Sequence, residues 1–134
     1  MAFDRQIAAL TTYCEASSAR SDERACVTHT YFNRVKSGRY PKTVAGVCLQ
    51  RMQYSEWNAD AADNRNLLRG ATVPDNDPIM LDCLAVFDAV AAGSPDPTKG
   101  ATHYTDKTIA PPPWTVGAIM TLETPKFRFY SGVK

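Results

Sequence analysis

The chain has 134 residues, 44% of them hydrophobic and 22% charged, with 15 basic and 14 acidic side chains and a net charge of +1. That length suits one domain with a real core, and that composition argues against both disorder and a membrane span. No apolar run approaches the roughly 20 residues a bilayer crossing needs, and no basic stripe is present to neutralise phosphates, so neither membrane insertion nor nucleic-acid binding is expected. In chain order, the first predicted helix runs over about residues 3–14. Phe3, Ile7, Leu10 and Cys14 fall at helical spacing and predict its buried stripe. Glu15 stands just past this stripe, where the loop from Ala16 to Arg20 begins. Ser21 is the expected cap of a second helix, with Asp22 and Glu23 near its positive end.

Cys26, Val27, Tyr31 and Val35 fall roughly on one face of that helix, and Ser37-Gly38 ends it. After the Tyr40-Pro41 turn, Thr43 caps a short helix containing Val44, Val47 and Cys48. Residues 51–76 are polar and rich in Asn and Asp, with Trp57, Leu67 and Leu68 as expected anchors. Asp77-Pro78 opens the clearest helix, a good N-cap followed by a residue suited to the first turn. Its predicted buried stripe is Ile79, Cys83, Val86, Phe87 and Val90, and Gly93 stops it. The turn-dense run Ser94-Pro95-Asp96-Pro97 follows. Residues 101–105 and 127–130 read as short extended pieces, and Pro111-Pro112-Pro113-Trp114 as a stiff loop presenting an indole. The sum is a mainly α, single compact helical domain over 1–134, with a small β element near the C-terminal third.

Four cysteines, at 14, 26, 48 and 83, lie among apolar neighbours in predicted helices. Met1-Ala2-Phe3-Asp4-Arg5 lacks the basic and apolar regions of a secretory signal, which points to a reducing cytoplasm and to free thiols. With two histidines and no C-x-x-C pair, no metal site and no cofactor are expected.

Several segments occur in an order that resembles a known family. Glu15-Ala16 is followed after eighteen residues by Asn33-Arg34-Val35, then by Tyr40-Pro41 with Thr43-Val44, and by Gln53-Tyr54-Ser55. Last comes Asp96-Pro97-Thr98-Lys99-Gly100-Ala101-Thr102-His103-Tyr104. Together they resemble the SleB-like cell-wall hydrolases, which include spore cortex-lytic enzymes and phage endolysins, over about residues 10–130. The resemblance implies a lysozyme-like α+β fold, bacterial peptidoglycan as partner and cleavage of its glycan strand. It also implies that Glu15 is the catalytic acid. The chain departs from the pattern at Ser18 and Ala19, where the family has Gly and a second Glu, and at Phe127, where it favours His.

Cleaving a β-1,4 bond between N-acetylmuramic acid and N-acetylglucosamine needs an acid that is still protonated near neutral pH. Burial against apolar groups supplies this by disfavouring the carboxylate, and Tyr13 and Cys14 are the expected neighbours. A second carboxylate normally serves as nucleophile or base, but Glu23, Glu56, Asp60, Asp96 and Asp106 offer no clear choice. Glu23 is explained by the helix dipole and Asp96 as a turn-former. A lytic transglycosylase avoids the need, because the C6 hydroxyl of muramic acid attacks in place of water. Sugar recognition by flat rings and amides points to Gln53, Tyr54, Trp57, His103, Tyr104 and Trp114. Asn33, disfavoured inside a helix, is expected to tie the Glu15 loop to the second helix, with Thr98 also supporting the site. Arg34 is expected to be a surface or ion-pair group. The expected setting is a monomeric phage endolysin that lyses its host and is antimicrobial, held in the host cytoplasm until the membrane is breached. A non-catalytic glycan-binding or virion module of the same fold is the alternative.

Overall fold

Short polar side chains set the helix ends of this protein, while small side chains let its helices come close. The computed structural model describes residues 2–50, 57 and 69–134. Helix α1 (Ala2–Ala16) is followed by α2 (Ser21–Ser37), α3 (Val44–Leu49) and α4 (Pro78–Ala91). The Thr43 hydroxyl accepts the Gly46 N–H at 3.0 Å, and the Asp77 carboxylate accepts the Met80 N–H at 2.9 Å, the two caps expected from sequence. Gly38 closes α2 at φ 75°, a left-handed position that glycine occupies without strain. The start of α2 differs from expectation. Arg20 is the N-cap, and its N–H is taken by the Glu23 side chain at 3.1 Å. Ser21 lies inside the helix and donates its hydroxyl to Asp82 at 2.8 Å.

The buried face of α1 also differs from the predicted stripe. Phe3 is 62% exposed and Ile7, Leu10 and Cys14 are half-buried, whereas Ala8, Ala9, Thr11, Thr12, Tyr13 and Ala16 are buried. The reason is packing on several sides: α1 lies against α2, α3 and α4 at once. Alanine and threonine allow that close approach, so the large apolar residues fall at the margin of the contact. On α4 the predicted residues Cys83, Val86, Phe87 and Val90 are buried, with Ile79 at the edge. Three cysteines are buried, Cys14 is half-buried, and none of the four is held in a disulfide.

The sheet is small and antiparallel, in the order β1 (His103–Asp106), β3 (Phe127–Ser131), β2 (Ile119–Glu123). Its pairing sets His103 opposite Tyr130 and Tyr104 opposite Phe129. Since neighbours along a strand point to opposite faces, Tyr104, Phe127 and Phe129 face the helices while His103 and Tyr130 share the other side. Phe127 and Phe129 enter the same core cluster as Ala16, Val27, Tyr31 and Phe87. Strand β2 was not anticipated from sequence. Ile119 and Met120 are exposed, and a register shift interrupts the strand between Met120 and Leu122. No helix among the described residues is long and apolar enough to cross a membrane.

Candidate active site

Glu15 occupies the last turn of α1, half-buried, at the place where the helix surrenders its chain to a loop. Arg24, buried on α2, holds that end. Its guanidinium donates to the Ala19 carbonyl at 2.7 Å and reaches toward the Ala16 and Ser17 carbonyls, while pairing with Asp82 at 2.7 Å. A cation at a helix C-terminus satisfies both its orphan carbonyls and its dipole. Nothing in the sequence singled out Arg24, because its partners are backbone oxygens and a carboxylate 58 residues away.

Across from Glu15 stands β1. The Tyr104 hydroxyl donates a hydrogen bond to Oε1 of Glu15. Its ring is fixed between Phe127 and Phe129, with centroids 5.5 and 5.8 Å away. The expected neighbour Tyr13 is elsewhere: it packs with Ala9 and Cys83 beside α4. Two positions along a helix turn a side chain by about 200°, which puts Tyr13 on the far side of α1 from Glu15. One turn before Glu15, the Thr11 hydroxyl accepts the Trp57 indole N–H at 2.8 Å. Positions 11 and 15 share a helix face, so Trp57 is anchored beside Glu15 and packs against the core. Gln53 and Tyr54 lie outside the described residues.

Asn33 supports the site from a different direction than expected. Its amide does not reach the Glu15 loop; it donates to Asp96 Oδ2 at 2.8 Å and to the Ala101 carbonyl at 2.9 Å, with the Thr98 hydroxyl at 3.5 Å. Asp96 is the turn-former, as expected. One carboxylate oxygen takes the Thr98 N–H and hydroxyl at 2.8 and 2.6 Å, the other the Gly100 N–H at 2.9 Å. Burial raises the Asp96 pKa, but the Thr98, Asn33 and backbone hydrogen bonds outweigh it and leave the carboxyl below its usual range. His29, buried on α2, lies 3.8 Å from the same carboxylate. Thr98 is fully buried, and residues 96–101 are thereby pinned to α2 three residues before Tyr104.

His103 and Trp114 fall on the opposite face of the sheet from Tyr104. Their rings lie 5.0 Å apart, Trp114 meets Tyr130 at 5.4 Å, and Tyr40 meets His103 at 6.1 Å. Arg34 is not on the surface. It is buried, stacks over Tyr40 at 4.9 Å, and donates to the Thr102 carbonyl at 2.6 Å. The structure thus brings Glu15, Tyr104 and Trp57 to one side and sets His103 and Trp114 apart.

Among the described residues, other acidic side chains are committed elsewhere. Glu23 is not merely a helix-dipole group. It is 1% exposed and accepts from the Thr124 hydroxyl at 2.6 Å and the Lys126 N–H at 2.9 Å, besides Arg20. Asp106 closes a turn by accepting from Thr108. Asp4 receives the Ala45 N–H of α3, and Asp22, Asp82 and Asp88 pair with Arg20, Arg24 and Arg5. Glu56 and Asp60 lie outside the described residues. The described part of the site therefore presents one carboxyl, with a phenol bound to one of its oxygens.

A family model described as Cell Wall Hydrolase matches residues 19–130, which takes in Asn33 and the run from Asp96 to Tyr104 and begins just after Glu15. Among solved structures, the fold is similar to the catalytic domain of the germination-specific lytic transglycosylase SleB from Bacillus anthracis. The TM-score is 0.76 at 20% identity, covering 98% of this chain and 96% of that one. The catalytic domain of the Bacillus cereus SleB protein is similar at TM-score 0.73 and 21% identity, over 98% and 91% of the two chains. No curated protein matches the chain. At these identities the likeness speaks for the fold: mainly helical, with a small sheet toward the C-terminus.

Proposed function

Because the chain belongs to the cell wall hydrolase family, we propose that it cleaves the glycan strand of peptidoglycan at the bond between N-acetylmuramic acid and N-acetylglucosamine, as a lytic transglycosylase with Glu15 as sole acid and base. The observation that carries this is the carboxyl at the end of α1, held by Tyr104, while the other described carboxylates nearby are committed to caps, turns and ion pairs. The Glu15 carboxyl gives its proton to the glycosidic oxygen as the bond from that oxygen to C1 of the muramic acid breaks. The C6 hydroxyl of the same sugar then attacks C1 and returns its proton to the carboxylate. The product is a 1,6-anhydro sugar, no water is consumed, and the acid is regenerated. A second carboxylate, which a hydrolase needs to activate water or form a covalent intermediate, has no part in this route.

Digestion of purified sacculi, with products weighed, tests the reading. Wild type is expected to release anhydro-ended muropeptides, lighter by one water than hydrolytic products. Glu15→Gln, isosteric but unable to donate a proton, is expected to fold and release none. Product masses carrying an added water would replace transglycosylation by hydrolysis. Substantial release by Glu15→Gln would remove Glu15 from the role, and binding of sacculi without release by the wild type would favour a glycan-binding module.

The proposed setting is host lysis by a phage-type endolysin that waits in the host cytoplasm, supported by the resemblance of this chain to a group with endolysins among its members. Cytoplasmic expression alone is expected to leave bacteria intact. Co-expression with a protein that permeabilises the inner membrane is expected to lyse them, and intact cells in that arm would overturn the setting.

A further inference from the structure

Tyr104 is poorly disposed to act as a sugar platform. Its ring packs against Phe127 at an interplanar angle of 80° and against Phe129 at 41°, so the aromatic surface is spent on the core cluster and the hydroxyl is the functional end. Strand pairing fixes its backbone opposite Phe129, and the Asn33 clamp on Ala101 fixes the start of the strand. The phenol therefore meets Oε1 of Glu15 from a rigid support, and Arg24 holds the helix end from behind. The phenol enters that hydrogen bond as the donor.

We propose that Tyr104 is a positioning residue for Glu15, occupying Oε1 so that both proton transfers of the reaction pass through Oε2. This rests on the reading of Glu15 as the acid. With Oε1 accepting from the phenol, the labile proton of the neutral acid resides on Oε2. As that proton passes to the glycosidic oxygen, charge accumulates on the carboxyl and the bond from Tyr104 strengthens, which lowers the barrier more than it favours the ground state. In the second half the same Oε2 collects the proton of the attacking C6 hydroxyl, without rotation of the carboxyl. The geometry thus assigns Tyr104 to kcat and not to sugar affinity.

Tyr104→Phe keeps the ring and its core contacts and removes only the hydroxyl. On soluble glycan chains it is expected to lower kcat by about 10- to 100-fold while leaving KM near wild type. Glycan binding should be equal in Glu15→Gln and in Glu15→Gln/Tyr104→Phe, which reads the ground state independently of turnover. An unchanged kcat, or weaker binding at unchanged kcat, would overturn the assignment, the latter making Tyr104 a sugar-binding group. Should Tyr104→Phe lose its cooperative melt, the 3-fluorotyrosine replacement at this position, a stronger donor of the same shape, serves instead. It is expected to hold or raise kcat, and a fall in kcat would count against the proposal. Full activity of Glu15→Gln would overturn the acid itself, and an inactive Glu15→Gln beside a fully active Tyr104→Phe would overturn this inference alone.

Discussion

His103 shows how a residue type suited to catalysis is put to structural use. Its Nδ1 is 2.9 Å from the Thr102 hydroxyl, and its ring sits between Trp114 and Tyr40. Burial, with the Arg34 and Arg39 guanidinium groups nearby, lowers its pKa to about 4, so the imidazole is neutral wherever the fold is sound. The sign of its effect on stability follows. Between pH 6.5, its ordinary value, and about 4, the unfolded chain binds the proton and the folded chain does not. The stability is present above pH 6.5 and is lost as pH falls through 4, by up to about 3 kcal/mol. His29, also buried and also lowered, acts in the same direction, partly offset by Asp96. Urea unfolding between pH 7 and 4 should therefore show a falling midpoint, and His103→Gln should flatten the fall. An equal slope in the variant would mean that the imidazole is not buried as a neutral group.

At the scale of elements, the loop before β1 depends on one amide. Asn33→Ala leaves the Ala101 carbonyl and an oxygen of Asp96 short of a donor in a half-buried place, at a cost of about 2–3 kcal/mol. Asn33→Asp is expected to be worse, because it sets a second carboxylate where the amide now lies 2.8 Å from Asp96. Thermal melts should rank wild type above Asn33→Ala above Asn33→Asp, and an Asp variant as stable as wild type would sink the argument. Such clamps also mark the limit of what the sequence discloses. The caps at Thr43, Asp77 and Gly38 are legible because a cap and its acceptor lie within one turn. The Asp96-Pro97-Thr98 turn is legible for the same reason. The partner that holds it, Asn33, is 63 residues away, and Tyr104 is 89 residues from Glu15, so only the fold pairs them. Strand β2 is not legible because its exposed apolar residues make no alternating pattern, and the buried face of α1 is hidden because it is made largely of small residues.

Across the whole molecule, the helices and the sheet are joined near Glu15 by Glu23. This carboxylate binds the first turn of α2 through the Arg20 N–H and the turn between β2 and β3 through Thr124 and Lys126. Lys126 also reaches the Ser18 hydroxyl at 3.1 Å, in the loop that follows Glu15. Burial pushes the Glu23 pKa up, but the bonds from Thr124, Arg20 and Lys126 outweigh that and hold it below the ordinary 4.5. Its stabilisation is thus present above pH 4.5 and lost as pH falls through the depressed value. Two glutamates in one region therefore separate by role, and a matched pair of substitutions reads the difference. Glu23→Gln must aim an N–H₂ at one of the donors that now face it, which costs about 2–4 kcal/mol and should lower the melting temperature. It leaves Glu15 and Tyr104 untouched, so activity per folded molecule should stay close to wild type. Glu15→Gln alters a half-buried group and keeps an oxygen to accept from the Tyr104 hydroxyl, so it should melt like wild type and release no product. Melting curves and sacculus digestion on both variants decide the matter: an inactive but fully stable Glu23→Gln would mean that the buried clamp, and not the helix-end acid, belongs to the chemistry.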